Sequence, residues 1–369
     1  MATTTTNYGF DVPTSSDLVK NGATQIALLG QDLDTFLFRP FSRNGTLNSA
    51  LNVWQRGTSV SVTSNTATYT ADRWNLFPNG ATNAHTVSRQ ATGDTTNLPD
   101  IQYCGRFQRN SGQTGTGNIF LCNSFESINS APFIGKQVTF SFYARRGANF
   151  SSASNALAFK VYTGTGTDQL SNTGYTGATA FISSTATLTT TWQRFTATAT
   201  SSSSGTEVSI EFSHTPSGTA GVNDYYEITG VQLEVGNQAS PFIRAGGNIQ
   251  GELAMCQRYY IKSFPQATAP AQNAGGQGAV YFPQIITGAI NQTLGAVRFP
   301  VVMRTSPTIT TFNPSAANAQ VRNVNNASNW SSTTPEQTSD AGFGLQATGN
   351  ASGAAGDRAL IHYTAEAEL

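Results

Sequence analysis

The sequence predicts a mainly β chain led by one short helix, and three observations predict it. Apolar and polar residues alternate through most of residues 44–245 and again through 278–369. Stretches rich in Gly, Asn and Ser break this pattern at short intervals, as turns between antiparallel strands do. Only two segments, one near the start and one near residue 250, space their apolar residues at helical intervals. With 369 residues the chain is long enough for two ordinary domains, each with its own core.

Residues 1–43 form the first unit. Residues 1–13 have no helical or strand period, and Tyr8, Phe10 and Pro13 are their only bulky groups apart from the initial Met, so an arm that either frays or docks on a partner is expected. Thr14-Ser15-Ser16-Asp17 offers a capping box. Beyond it Val19, Gly22, Ile26, Leu29, Leu33 and Phe36 recur at alternating steps of three and four. That is heptad spacing, and it predicts a short coiled-coil helix through which parallel copies share one seam. The same spacing also suits an amphipathic helix packed on its own domain. Arg39-Pro40 closes the helix, because the residue before Pro is pushed out of the α region.

Residues 44–245 read as a large antiparallel jelly-roll sandwich. Val138, Phe140, Phe142 and Ala144 alternate with polar partners, as do Val208, Ile210 and Phe212. Tyr226 and Ile228 share one parity while Val231, Leu233 and Val235 share the other; a bulge at Gly230 would bring all five onto the core. Trp54, Trp74 and Trp192 sit among alternating apolar residues and are expected inside. Residues 246–277 read as a helical connector and linker. Asn248 is its N-cap, Ile249, Leu253, Cys256 and Tyr260 form one face, and Pro265–Gly278 is a loop. Residues 278–369 form a smaller C-terminal β sandwich, with strands expected near 279–285, 296–303, 308–312, 320–324, 342–347 and 360–367. Pro300 and Pro307 belong at its strand ends or edges.

Charge and composition narrow the chemistry. Lys plus Arg is 20 and Asp plus Glu is 20, so formal charge is zero, and charged residues are only 11% of the chain. A phosphate-backbone binder needs a basic excess, so nucleic acid is not an expected partner. The apolar runs are too short to cross a bilayer, so membrane insertion is not expected. Three cysteines at wide spacing, Cys104, Cys122 and Cys256, suit synthesis in a reducing cytoplasm and no disulfide framework. His85, His214 and His362 are isolated, so no transition-metal site and no cofactor are expected; a structural calcium held by carboxylates and loop carbonyls remains possible in such oxygen-rich loops. Asp224, Glu227, Glu211 and Glu234 are the carboxylates available for a hydrolytic pair, but Asp224 and Glu227 project to opposite faces of a regular strand, and Glu211 alternates against Phe212 as a solvated residue does. No catalytic residue is expected. About a quarter of the chain is Ser and Thr, and with exposed aromatic rings these supply the materials of a sugar-binding groove. Tyr162, Tyr175, Tyr225 and Trp330 lie at strand ends or in loop-like stretches and are the candidate ligand platforms.

Several stretches together resemble bacteriophage tail-fibre and virion-appendage proteins. They are Thr14–Phe38, Asn52–Gly57 (NVWQRG), Tyr69–Trp74 (YTADRW), Ile228–Phe242 (ITGVQLEVGNQASPF), Glu252–Tyr260 (ELAMCQRYY) and His362–Leu369 (HYTAEAEL). The resemblance implies a structural virion protein, made in the host cytoplasm and commonly a homotrimer. Its arm attaches to other virion proteins, and its jelly roll, akin to carbohydrate-binding modules, takes a host-surface polysaccharide or receptor without catalysis. A capsid decoration or fibre protein making only protein contacts is the alternative, and a polysaccharide depolymerase a third reading.

Overall fold

The computed structural model describes residues 3–4, 11–12, 14, 18, 21–37, 44–63, 65–79, 84–330 and 332–369. Ahead of the helix, β1 (Thr3–Thr4) pairs antiparallel with β2 (Asp11–Val12), a ladder for which the arm shows no strand period. Tyr8, Phe10, Pro13 and Val19 lie outside the described residues. Helix α1 spans Gly22–Leu37 and packs against β2. Ser15, Ser16 and Asp17 of the capping box also lie outside the described residues. Ile26 and Leu33 are 66% and 46% exposed on α1, Gly22 and Leu29 are half-buried, and Phe36 lies in its last turn.

Two six-stranded sheets follow. Their strands are β3 (Ser59–Val62), β4 (Thr68–Tyr69), β5 (Asn75–Pro78), β6 (His85–Ala91), β7 (Tyr103–Arg109) and β8 (Ile119–Ser124). After the one-turn helix α2 (Ser127–Ser130) come β9 (Gln137–Arg146), β10 (Ala156–Gly164), β11 (Thr179–Thr187), β12 (Gln193–Thr200), β13 (Glu207–His214) and β14 (Tyr225–Val235). The first sheet runs β11-β10-β13-β8-β5-β4 and the second β12-β9-β14-β7-β6-β3, with antiparallel pairing. Alternation decides the interior: Phe140 and Phe142 of the second sheet meet Phe159 and Phe212 of the first, with ring centroids 4.8–5.9 Å apart. Trp54, Trp74 and Trp192 are buried as expected.

The bulge sits where the parity change requires it. Gly230 has φ +58°, and the β14–β9 register shifts between Thr229 and Gln232. Tyr226, Ile228, Val231 and Leu233 are fully buried, but Val235 ends the strand 43% exposed. A Cβ at Gly230 would stand 2.8 Å from Ile101 Cδ1, so both the backbone angle and the space call for glycine.

Helix α3 (Ile249–Gln257) is capped by Asn248, whose side chain accepts from the Gly251 amide at 2.9 Å. Its buried side chains are Glu252 and Cys256, while Ile249 is 43% exposed. Tyr260 is not on the helix: it opens β15 (Tyr260–Lys262), already part of the C-terminal sandwich. Pro265–Gly278 is a loop, but it folds back on that sandwich, where Lys262 Nζ donates to the Gln266 and Thr268 carbonyls at 2.8 and 2.6 Å and the Asn273 amide reaches Asn313 O at 2.8 Å. The remaining strands are β16 (Val280–Pro283), β17 (Asn291–Arg298), β18 (Thr308–Phe312), β19 (Arg322–Asn323), β20 (Ser328–Asn329), β21 (Ser332–Ser339), β22 (Gly342–Thr348) and β23 (Arg358–Glu366). Strand β23 is central, flanked by β15 and β18 along one half and by β16 and β19 along the other. Strands β17-β22-β21 form the facing sheet, and Pro335 is tolerated because β21 is its edge.

The junction between the sandwiches gathers most of the stretches that carry the resemblance. Gln55 donates to Asp72 Oδ1 at 2.8 Å and to the Tyr260 carbonyl at 2.7 Å. Arg56 stacks 3.8 Å from the Tyr260 ring centroid and pairs with Glu366 and Glu368 at 3.2 and 3.3 Å. Arg73, 2% exposed, pairs with Glu368, stacks 3.6 Å from the Tyr259 ring and donates to Ser124 O at 2.6 Å. Glu126 accepts from Arg258 at 2.6 and 2.9 Å and from Tyr259 Oη at 2.9 Å. Arg73 and Glu368 are charged yet paired inside the protein, so losing one of them strands a buried charge.

Candidate functional site

A ligand platform on a sandwich needs an outer sheet face that the chain has not covered. Much of the second sheet does not offer one, although β12 turns Thr196, Thr198 and Thr200 to solvent. Ala50, Leu98, Ile101, Cys104 and Trp192 form a satellite core over it with Tyr143 and Phe242, and Glu227 is fully buried between Arg106 at 2.6 Å and Arg145. Over the first sheet, the β10–β11 loop covers one end: the Gln169 amide reaches Glu207 at 2.8 Å, the Ser171 amide reaches Ser124 Oγ at 3.0 Å, and Asn172 donates to Asn75.

Beyond that loop the face is partly exposed, at Phe77, Phe120, Lys160 and Tyr162. Leu76, Leu121, Phe159, Val161, Ile210 and Phe212 point into the core, so their neighbours Phe77, Phe120, Lys160, Tyr162 and Glu211 point out. Register sets their spacing: Phe77 lies opposite Phe120, and Lys160 opposite Glu211. The two half-buried Phe rings stack with centroids 6.2 Å apart at 21°. Tyr162 Oη reaches Glu211 Oε1 at 3.4 Å. Burial, partly offset by Lys160 and Tyr162, holds the Glu211 carboxyl above the usual carboxylate range. Phe120 lies opposite Ser213, two residues from Glu211 on the same face, so the carboxylate sits diagonally from the rings with Lys160 and Tyr162 one strand further. Such a set can stack a sugar face and hydrogen-bond its hydroxyls.

Of the sequence candidates, the structure brings only Tyr162 into this groove. Tyr175 lies in the covering loop, half-buried, with its ring packed on Gly164. Tyr225 belongs to the other sheet, beneath Arg106 at 4.1 Å. Trp330 is a correction: it is fully buried in the C-terminal core with Val321 and Leu345, so its ring cannot act as a platform. Glu211 is also corrected, being 8% exposed instead of solvated. Phe77 and Phe120 were missed because a lone aromatic within an apolar run reads as core. The available signal is that Asn75–Pro78 (NLFP) and Ile119–Cys122 (IFLC) carry apolar residues at both parities, which gives such strands two apolar faces.

Three of the four carboxylates offered for hydrolysis are committed elsewhere. Asp224 pairs with Arg109 at 3.3 Å, Glu227 with Arg106 and Arg145, and Glu234 accepts from the Ser240 amide and hydroxyl at 2.8 and 2.7 Å. Among the described residues no group of three or more His, Cys, Asp or Glu side chains converges as a metal ion requires. All three cysteines are free and buried.

No protein-family model and no curated protein matches the chain. Solved structures do. A CBM4 structure is 16% identical with TM-score 0.32, over 51% of this chain and 98% of that one. The enzymatically active domain of tailspike protein 4 from bacteriophage CBA120 is 13% identical with TM-score 0.32, over 53% of this chain and 22% of that one. TmCBM61 in complex with β-1,4-galactotriose is 14% identical with TM-score 0.32, over 53% of this chain and all of that one. At these scores the likeness assigns no activity.

Proposed function

We propose that the chain is a non-enzymatic bacteriophage virion subunit, of a tail fibre or other appendage, that binds host-surface glycan through the outer face of its first jelly-roll sheet. The observation that carries the glycan reading is the Phe77–Phe120 stack, with Glu211, Lys160 and Tyr162 on the same outer face of the first sheet. Aromatic stacking supplies orientation-specific affinity, and the neighbouring hydroxyl and carboxylate supply hydrogen bonds. Assembly as a homotrimer is supported by Ile26 and Leu33, exposed at heptad spacing on α1. Virion placement, with the arm tethered to other virion proteins, rests on the stretches that resemble phage appendage proteins.

Native electrophoresis in gels containing soluble polysaccharides tests the reading. The wild type should be retarded by at least one polysaccharide without shortening it, and Phe77→Ala or Phe120→Ala should weaken that binding about tenfold. Retardation by none, or new reducing ends in the bound polymer, contradicts it.

A further inference from the structure

The stacked platform does not end at the jelly roll. Phe77 also lines a cleft of about 810 Å³ between the two sandwiches. Tyr69 and Asn172 share its jelly-roll wall, and Thr308, Glu366 and Glu368 form the facing wall, where register sets Thr308 opposite Glu366. Tyr69 Oη and Asn172 Oδ1 are closed off with no hydrogen-bond partner in the protein, which costs free energy, and a side-chain rotation toward the cleft would let a ligand hydroxyl supply one.

The charges here are one-sided. Arg56, Arg73 and Arg304 are the cations beside the cleft, and all are committed: Arg56 to Glu366, Glu368 and the Tyr260 ring, Arg73 to Glu368 and the Tyr259 ring, Arg304 to Asp168 and the Ala367 and Glu368 carbonyls. The Arg56, Arg73 and Arg304 side chains are 13%, 2% and 17% exposed, whereas that of Glu366 is 49% exposed. On the platform itself Lys160 faces Glu211. An anionic chain entering the cleft would therefore meet a half-exposed carboxylate and, among the described residues that line it, no cation.

We infer that the cleft is a second subsite for the same glycan, extending the Phe77–Phe120 platform, and that it selects neutral polysaccharides over acidic ones. This rests on the glycan reading above. A chain too short to leave the platform touches Phe77 and Phe120 alone. A longer one enters between the sandwiches and meets the carboxamide, phenol and hydroxyl groups of the two walls, so affinity grows with chain length.

Gels containing xylan, galactan or dextran, set against gels containing alginate or polygalacturonate, test the charge class. Calorimetry with di- and hexasaccharides of the retarding neutral polymer tests the subsite. Thr308→Trp fills the cleft from an exposed strand end, and Thr173→Trp does so from the opposite wall. The wild type should be retarded by a neutral polymer only and should bind the hexasaccharide at least about tenfold more tightly than the disaccharide. Either Trp variant should erase that difference while keeping disaccharide affinity, and Phe77→Ala should weaken both. Hexasaccharide affinity unchanged in both Trp variants overturns the cleft and leaves the platform standing. Equal retardation by alginate overturns the neutral class. Retardation by nothing overturns the glycan reading together with this inference.

Discussion

His214 packs between Phe150 and Tyr226, ring centroids 5.0 and 5.3 Å away, and burial next to His85 and Arg109 pushes its imidazole pKa down to about 3. In the unfolded chain the same ring takes up a proton near pH 6.5. Between those values the unfolded state binds more protons, so this residue's contribution to stability falls as pH drops, by up to about 1.4 kcal/mol per pH unit. Urea unfolding from pH 7 to 4 should show a shallower loss in His214→Phe than in the wild type, and parallel slopes would contradict it. The single residues of the candidate site were less legible than this core. Tyr162 could be proposed from its place near a strand end, but Phe77, Phe120 and Glu211 could not. Whether a side chain of a two-faced apolar strand meets the core or water depends on what the other sheet and the β10–β11 loop cover.

Elements were legible where the period of two is unbroken. Strands 308–312 and 342–348 were expected almost to the residue, and the parity change at Gly230 marked its bulge. Gly230→Ala should cost about 1–3 kcal/mol, from strain at a positive φ and from the Ile101 and Tyr143 contacts, read as a lower Tm. The failures have physical causes. Tyr260 falls at i+11 from Ile249 and so continues the helical stripe in sequence, yet pairing with Glu366 draws it into β15. Strand β21 is polar and holds Pro335, which hides an edge strand. For α1, the exposed Ile26 and Leu33 expect a partner. Light scattering should give three times the 39.0 kDa chain mass, and Ile26→Asp should return the single-chain mass, because a charge in the seam is costly to bury. A wild type at 39.0 kDa would remove the oligomer.

At the scale of the whole molecule, the stretches that resemble appendage proteins serve mainly to lock two sandwiches together. NVWQRG, YTADRW, ELAMCQRYY and the last residues meet through Gln55, Arg56, Arg73, Tyr259, Tyr260 and Glu368. No period in the sequence announces this, since the partners lie from 186 to 312 residues apart. Arg73→Met leaves Glu368 without its closest cation and should cost about 3–5 kcal/mol. In calorimetry the loosened junction should split one unfolding transition into two; a single transition at the wild-type Tm would contradict it. A rigid junction also fixes the platform relative to the C-terminal sandwich, which a glycan spanning both requires. Hydrogen–deuterium exchange with and without the most strongly retarding polysaccharide tests the binding face most directly. Protection should concentrate on residues 75–78, 119–124, 158–163 and 209–213, whereas protection over Arg106, Glu227 and Tyr225 on the opposite sheet, or none anywhere, would contradict the account.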